Sequence, residues 1–241
     1  MDRRTQAVAQ ILLKQRGPED TEFWGWLKPN QPLSAKDANK FLLGSILDYQ
    51  IPAETAWRNA KRLAESILRD PRRLWDEITS IELSEWVSKW REYSLHRFPK
   101  GHERIWTIGK RIVQQYDGDA RKIWDNQSID TTLYRLGALG VGEQISRMVV
   151  GALIDTGHLN GKGDVKVDIH VRRVLGRALQ GREFPLKDKD RVIDLTRAMH
   201  SDNPWLLDRP LYMLGKRVCG AKEPKCTSCF LQSVCVYYST H

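Results

Sequence analysis

LGALGVGEQISRMVVGALIDTGHLNGKGDVKVDIHVRRV, residues Leu136 to Val174, is the stretch on which the reading of this chain turns. Apolar Leu133, Leu136 and Leu139 lead into Leu139-Gly140-Val141-Gly142, and Ile145, Met148, Val149 and Leu153 leave it at helical spacing. The segment therefore reads as helix, tight turn, helix. Gly140 and Gly142 allow positive φ and leave no side chain in the way of a close-approaching backbone. The amides of Val141, Gly142 and Glu143 then face outward at a helix N-terminus, where a phosphate is favoured. Further on, Val167-Asp168-Ile169-His170 puts an acid at the start of another amphipathic segment. Taken alone, the glycine turn is only a turn, and Asp168 is an N-cap for the helix carrying Val171, Val174 and Leu175.

Outward from this stretch the chain reads as helix throughout. Residues 4–16 form an amphipathic segment with Ala7, Ile11 and Leu12 on one face. Gly17 to Pro32 is a loop containing Phe23, Trp24 and Trp26. Ser34 caps a helix through Leu47, with Phe41, Leu42, Ser45 and Ile46 toward the core. Pro52 suits the first turn of the next helix, with Glu54 near its positive end, and that helix stops at Asp70-Pro71. Helical patterns follow at 72–79, 82–92, 99–116, 119–125 and 128–138. After the hairpin, Thr156 to Lys166 is a Gly-rich polar loop or domain crossover. Helices at 168–179, 188–200 and 203–218 then deliver the chain to its cysteines. No strand pattern and no internal repeat is visible, and most of the nine tryptophans sit at helical core positions.

Hydrophobic content of 41% and charged content of 29% exclude a disordered chain and fit a globular one. At 241 residues there is enough chain for a substantial core in one domain or two. A net charge of +9 favours an acidic partner such as nucleic acid. The opening MDRRTQAVAQ lacks the apolar core of a signal peptide, and the longest apolar run, Met148 to Ile154, is too short to span a bilayer. The expectation is a cytoplasmic, nucleoid-associated protein with no membrane partner.

All four cysteines fall near the C-terminus, spaced Cys219-x6-Cys226-x2-Cys229-x5-Cys235. In a reducing compartment such clustering points to a metal centre over two disulfides. A structural zinc site more often uses two short knuckles, and one x2 pair is present here. Four thiolates also suit a [4Fe–4S] cluster, so the spacing leaves both open. Between the first two ligands, Gly220 to Lys225 holds two lysines in a short loop, either a solvated surface turn or a basic prong.

The cysteine spacing, at the end of an all-helical chain and after an LGVG hairpin and a VDxH, resembles the endonuclease III branch of the helix-hairpin-helix DNA glycosylases. The resemblance covers about residues 35 to 235. It implies an all-α fold of two helical domains flanking a DNA-binding cleft. One is a six-helix barrel at 35–160 containing the hairpin, and the other is built from 1–34 and 161–241 and carries the cluster. It implies a [4Fe–4S] cofactor on Cys219, Cys226, Cys229 and Cys235, and Asp168 as the catalytic aspartate. Leu139, Gly140, Val141 and Gly142 become the phosphate-binding hairpin. Lys222 and Lys225 occupy the cluster loop that meets the DNA backbone, and Gln50 falls where a glutamine fills the space left by the extruded base. The implied partner is double-stranded DNA containing a damaged or mismatched base, bound by a monomer.

An enzyme acting on a base within a duplex must first extrude it. Breaking the glycosidic bond passes through a sugar with oxocarbenium character, which a nearby carboxylate such as Asp168 stabilises while helping to activate water. A helix start favours the ionised form of that acid. Bifunctional relatives carry a lysine two residues after the hairpin's second glycine, and here that position is Gln144. A neutral amide is no amine nucleophile, so the expectation is a monofunctional glycosylase that removes the base and leaves the strand intact. The rivals are a lyase with a displaced lysine, for which Lys162 and Lys166 are the candidates, and a catalytically silent protein that binds damaged DNA. The interval from Gln144 to Asp168 is longer than is typical of the family, which alters the loop at 158–163 and with it the pocket. His170 reads as a structural residue. The adenine-specific relatives usually carry an added C-terminal domain, whereas this sequence stops six residues after Cys235. The substrate expected is therefore a G·T or G·U mismatch or another damaged base.

Overall fold

The structure is a computed structural model that describes residues 1–16, 25–68, 70 and 73–241. The loop positions Gly17, Phe23 and Trp24 and the helix stop at Pro71 lie outside the described residues. Every regular element among the described residues is helical, as the patterning demands. The chain forms two compact units, Met1–Glu19 with Lys162–His241, and Asp20–Gly161.

The first unit opens with α1 (Arg3–Lys14). The second unit holds α2 (Ala35–Leu47), α3 (Ala53–Arg62), α4 (Leu74–Thr79), α5 (Leu83–Tyr93), α6 (Pro99–Tyr116), α7 (Ile129–Leu139) and α8 (Glu143–Asp155). The chain then returns to the first unit with α9 (Ile169–Gln180), α10 (Lys189–Met199), α11 (Asp208–Arg217) and α12 (Val236–Thr240).

Local chemistry explains most of the boundaries. Ser34 accepts from the Asp37 amide at 3.1 Å and Ser128 from the Thr131 amide at 3.1 Å, each satisfying a donor that the helix start leaves orphaned. Asp117 (φ 51) and Gly118 (φ 72) end α6 in the left-handed region, at the Asp-Gly pair that the sequence marks as a stop. The pattern at 119–125 forms a single 3-10 turn, Ala120–Ile123, because Asp119 folds its carboxylate onto the Arg121 amide and guanidinium. The pattern at 203–218 likewise divides into a 3-10 turn, Pro204–Leu207, and α11.

In the second unit α2 is the central helix, with every residue from Ala38 to Leu47 buried. Phe41 packs on Trp57 and Trp124, with ring centroids 5.9 and 6.5 Å away. Trp75, Trp86 and Trp90 are also buried, in keeping with core rather than surface tryptophans. Buried Asn39 ties α2 to the end of α6, donating to the Gly118 carbonyl at 2.8 Å and accepting from the Ala120 amide at 2.9 Å.

The first unit packs Val8 and Leu12 of α1 against Val171, Val174 and Leu175 of α9, Val192 and Ile193 of α10, and Leu207, Leu211 and Leu214 around α11. The buried face of α1 is Thr5, Val8, Ala9 and Leu12, turned from the expected Ala7, Ile11 and Leu12. Both stripes have helical spacing. Packing selects the one closed by Thr5, whose hydroxyl donates to Asp2 at 2.7 Å and is satisfied there.

Candidate functional site

The hairpin joins α7 to α8 through Gly140, whose φ of 95 is the left-handed conformation the double-glycine turn requires. The Gly140 amide donates to the Gly137 carbonyl at 2.9 Å and the Val141 amide to the Leu136 carbonyl at 3.0 Å, the paired bonds of a Schellman closure. This corrects one detail of the phosphate reading, since the Val141 amide is consumed by its own helix. The amides of Gly142 and Gln144, at the start of α8, have no partner among the described residues. Leu139 and Val141 are buried and hold the turn in place, while Gly140 and Gly142 are exposed.

Two arginines from α6 brace this turn, and neither stands out in the sequence. Arg104 donates to the Gly140 carbonyl at 3.1 Å and Arg111 to the Ala138 carbonyl at 3.1 Å, placing cations at the negative end of α7. A Cβ on Gly142 would stand 3.3 Å from the Arg104 guanidinium, so glycine there admits the positive group beside the open amides. Burial lowers the Arg104 pKa, and the Tyr49 phenol partly offsets this. Their seven-residue spacing on one helix face is the only signal the sequence offers.

The same arginine reaches the other candidate in this unit. Its guanidinium lies over the Tyr49 ring, 5.3 Å from the centroid, and Tyr49 precedes Gln50. Gln50 is exposed with φ 54, and its carbonyl accepts from Arg97 at 2.7 Å. His96 fixes the neighbouring carbonyl. The Phe98 amide donates to its Nδ1 at 3.1 Å, so Nε2 carries the proton and donates to the Tyr49 carbonyl at 2.9 Å. Gln50 and the hairpin thus belong to one braced surface carrying Arg97, Arg104 and Arg111.

In the first unit Asp168 caps α9. Its Oδ1 accepts from the amides of His170 at 2.7 Å and Val171 at 2.9 Å, while Oδ2 has no partner among the described residues. His170, next to the cap, packs inward: Arg173 lies 3.0 Å from its Nδ1, and its ring meets Tyr212 edge-on with centroids 5.3 Å apart. A Cβ on Gly215 would stand 2.6 Å from the His170 Cβ, so only glycine lets α11 approach here. The amine of Lys162 donates to the Ser201 carbonyl at 3.1 Å, and the Lys166 amide to Asp208 at 2.6 Å.

Helix α9 also holds the cysteine segment, through two arginines that sequence reasoning missed. Buried Arg173 donates to the carbonyls of Cys219 at 2.7 Å and Gly215 at 2.8 Å. Arg177, one turn on, donates to the carbonyls of Gly220 at 2.6 Å and Ala221 at 2.7 Å and lies 3.5 Å from the Cys219 sulfur. Lys222 and Lys225 are exposed on the loop so held. Arginines four apart on a helix with a buried stripe are the available clue.

All four thiols are free and line one pocket with Arg177, Tyr237 and Tyr238. Burial, then the charges of Cys235 and Cys219, push the Cys226 thiol up, and burial does the same to Cys229. Thiols that line one pocket are the donor type that a metal group takes as thiolates. No three His, Cys, Asp or Glu among the described residues are arranged to hold a single metal ion.

No family model and no curated protein matches the sequence. Solved structures match its fold. A structure of a non-covalent endonuclease III–DNA complex aligns with a TM-score of 0.65 at 18% identity, covering 98% of this chain and 97% of that one. A thermostable thymine-DNA glycosylase aligns with a TM-score of 0.61 at 15% identity, covering 99% and 98%. At these identities the likeness is one of fold, and it spans the chain from end to end.

Proposed function

We propose that a protein with this fold, this hairpin and this acid is a DNA N-glycosylase of base-excision repair. It hydrolyses the glycosidic bond of an extruded damaged or mismatched base and leaves the strand intact. The observation that carries the proposal is Asp168. Its Oδ1 is held by the first amides of α9, so the carboxylate is oriented without another side chain, and Oδ2 remains for chemistry. As the base departs, the sugar gains positive charge. A fixed carboxylate stabilises that charge and orients the attacking water without reorganising in the transition state.

The remaining residues bind. The open amides at the start of α8, with Arg104 beside them, suit a DNA phosphate. Lys222 and Lys225 add sequence-independent backbone contacts from an exposed loop. Gln50, on its braced left-handed turn, fills the gap left by the extruded base. Gln144, where a lyase would carry its amine, supplies no nucleophile. Cys219, Cys226, Cys229 and Cys235 would hold a [4Fe–4S] cluster. Lining one pocket, they would hold it as thiolates, and the group would pin the loop that carries Lys222 and Lys225. The favoured substrate is a G·T or G·U mismatch or another damaged base, acted on by a monomer in the nucleoid. No helix among the described residues is long and apolar enough to cross a membrane.

The test is strand scission on labelled duplexes carrying uracil or thymine opposite guanine, adenine opposite 8-oxoguanine, or alkylated and oxidised bases. Each reaction is split, and half is treated with hot alkali. Breaks that need alkali are the expected result. Breaks without alkali would restore a lyase amine, and no breaks alongside intact binding would leave a damage-binding protein.

A further inference from the structure

Gln144 carries an unusual cost. Both its Nε2 and Oε1 are buried, and neither has a hydrogen-bond partner among the described residues. The other buried unpartnered side-chain atoms among the described residues are single nitrogens of Trp75, Trp90, His102, Trp124, His158 and Arg172. Five of those six belong to rings that fill space by their carbon frames, and the sixth is Arg172, whose NH1 donates to the Phe184 carbonyl at 2.7 Å. In Gln144 alone of this set are a donor and an acceptor orphaned together. Ile145, Met148, Val149 and Leu153, on the same helix, are apolar and buried. A leucine would fill the space at 144 without the penalty, since orphaned polar groups forfeit their hydration and gain nothing for it.

An amide held by no bond can also swing out through its own side-chain torsions without breaking one. Its site, the second residue of α8, follows the exposed Gly142 and Glu143. A carboxamide presents N–H and C=O side by side in one plane. Its complement is a group presenting C=O and N–H side by side, as a nucleobase does on its lactam or imide edge.

We propose that Gln144 is a specificity residue that reads the lactam or imide edge of the extruded base through paired hydrogen bonds. The proposal rests on the glycosylase reading and narrows it to neutral bases of the uracil, thymine or hypoxanthine kind. Bases alkylated on the ring nitrogen of that edge leave half of the amide orphaned and are rejected.

The experiment compares uracil with N3-methyluracil opposite guanine, in the wild-type protein and in Gln144→Leu. Three readouts are taken: single-turnover base release, affinity for duplexes carrying the non-cleavable 2′-fluoro forms of both nucleosides, and thermal unfolding of the free protein. The wild type is expected to prefer uracil by roughly 10–100-fold, the factor for one or two unmet hydrogen bonds. Gln144→Leu is expected to lose that preference, with its unfolding midpoint unchanged or raised because the orphaned amide is gone. A variant that keeps the preference, or that unfolds earlier and loses activity equally on both bases, overturns the proposal. If the wild type releases no base here or from the wider panel of duplexes above, the glycosylase reading fails. The 2′-fluoro affinities then decide Gln144 alone: discrimination abolished by the leucine sustains it, and indifference to the N3-methyl group overturns it.

Discussion

Capping and the proposed chemistry meet in the Asp168 side chain. One oxygen is committed to the first turn of α9, and the other has no described partner. Asparagine caps a helix about as well as aspartate, so Asp168→Asn should leave the thermal midpoint nearly unchanged while removing the charge. Base release in a single-turnover assay is then expected to fall by roughly 10²–10³-fold with duplex affinity retained. Asp168→Ala loses the cap as well, costing about 1 kcal/mol of stability. Full activity in Asp168→Asn would reduce the residue to a cap. The capping role was legible, because an acid before an apolar helical stripe has few other places to go. The fate of the Val141 amide was not. It depends on whether α7 closes at Leu139 or a residue later, a choice worth one hydrogen bond that only packing makes.

At the scale of the element, α6 does more than its amphipathic pattern announces. It braces the hairpin with Arg104 and Arg111, and it buries His102 against Trp90, with ring centroids 4.6 Å apart. Burial pushes the His102 pKa below 6.5, opposed by its bond to the His96 carbonyl, and burial likewise lowers His158, opposed by Asp125. The unfolded chain thus takes up protons that the folded unit refuses. This contribution to stability is full above pH 6.5 and is lost as pH falls through that value toward the folded pKa. The thermal midpoint is expected to decline between about pH 7 and pH 5, and His102→Gln, which keeps a donor for the His96 carbonyl, to flatten the decline. An unchanged slope in that variant would assign the effect to His158. Neither shift is readable from sequence, since a histidine on a helix declares its neighbours only once the helices pack. The turned face of α1 teaches the same lesson, two stripes of equal periodicity being separated only by what covers them.

For the whole molecule, the net charge of +9 is distributed with purpose: exposed Lys222 and Lys225 sit on a pinned loop, and Arg97, Arg104 and Arg111 surround the hairpin and the Gln50 turn. Each phosphate contact contributes about 0.9 to the slope of log affinity against log salt. Substituting alanine for both lysines is expected to lower that slope by about 2 in a fluorescence anisotropy titration. A slope that does not move would take the loop off the DNA. By itself the sequence determined that the described elements are helical, where most of them begin and end, and that the cysteines cluster in one segment. These are local matters, set by side-chain period, caps, glycines and spacing. Only the tertiary structure decided that Arg104 joins the hairpin to the Gln50 turn, that Arg173 and Arg177 tie the cysteine segment to the helix Asp168 caps, and that the Gln144 side-chain amide is buried without a partner among the described residues. Those contacts join residues about 30 to 55 positions apart or depend on what surrounds a side chain, and no local pattern encodes which distant backbone atoms a long, flexible arginine will meet.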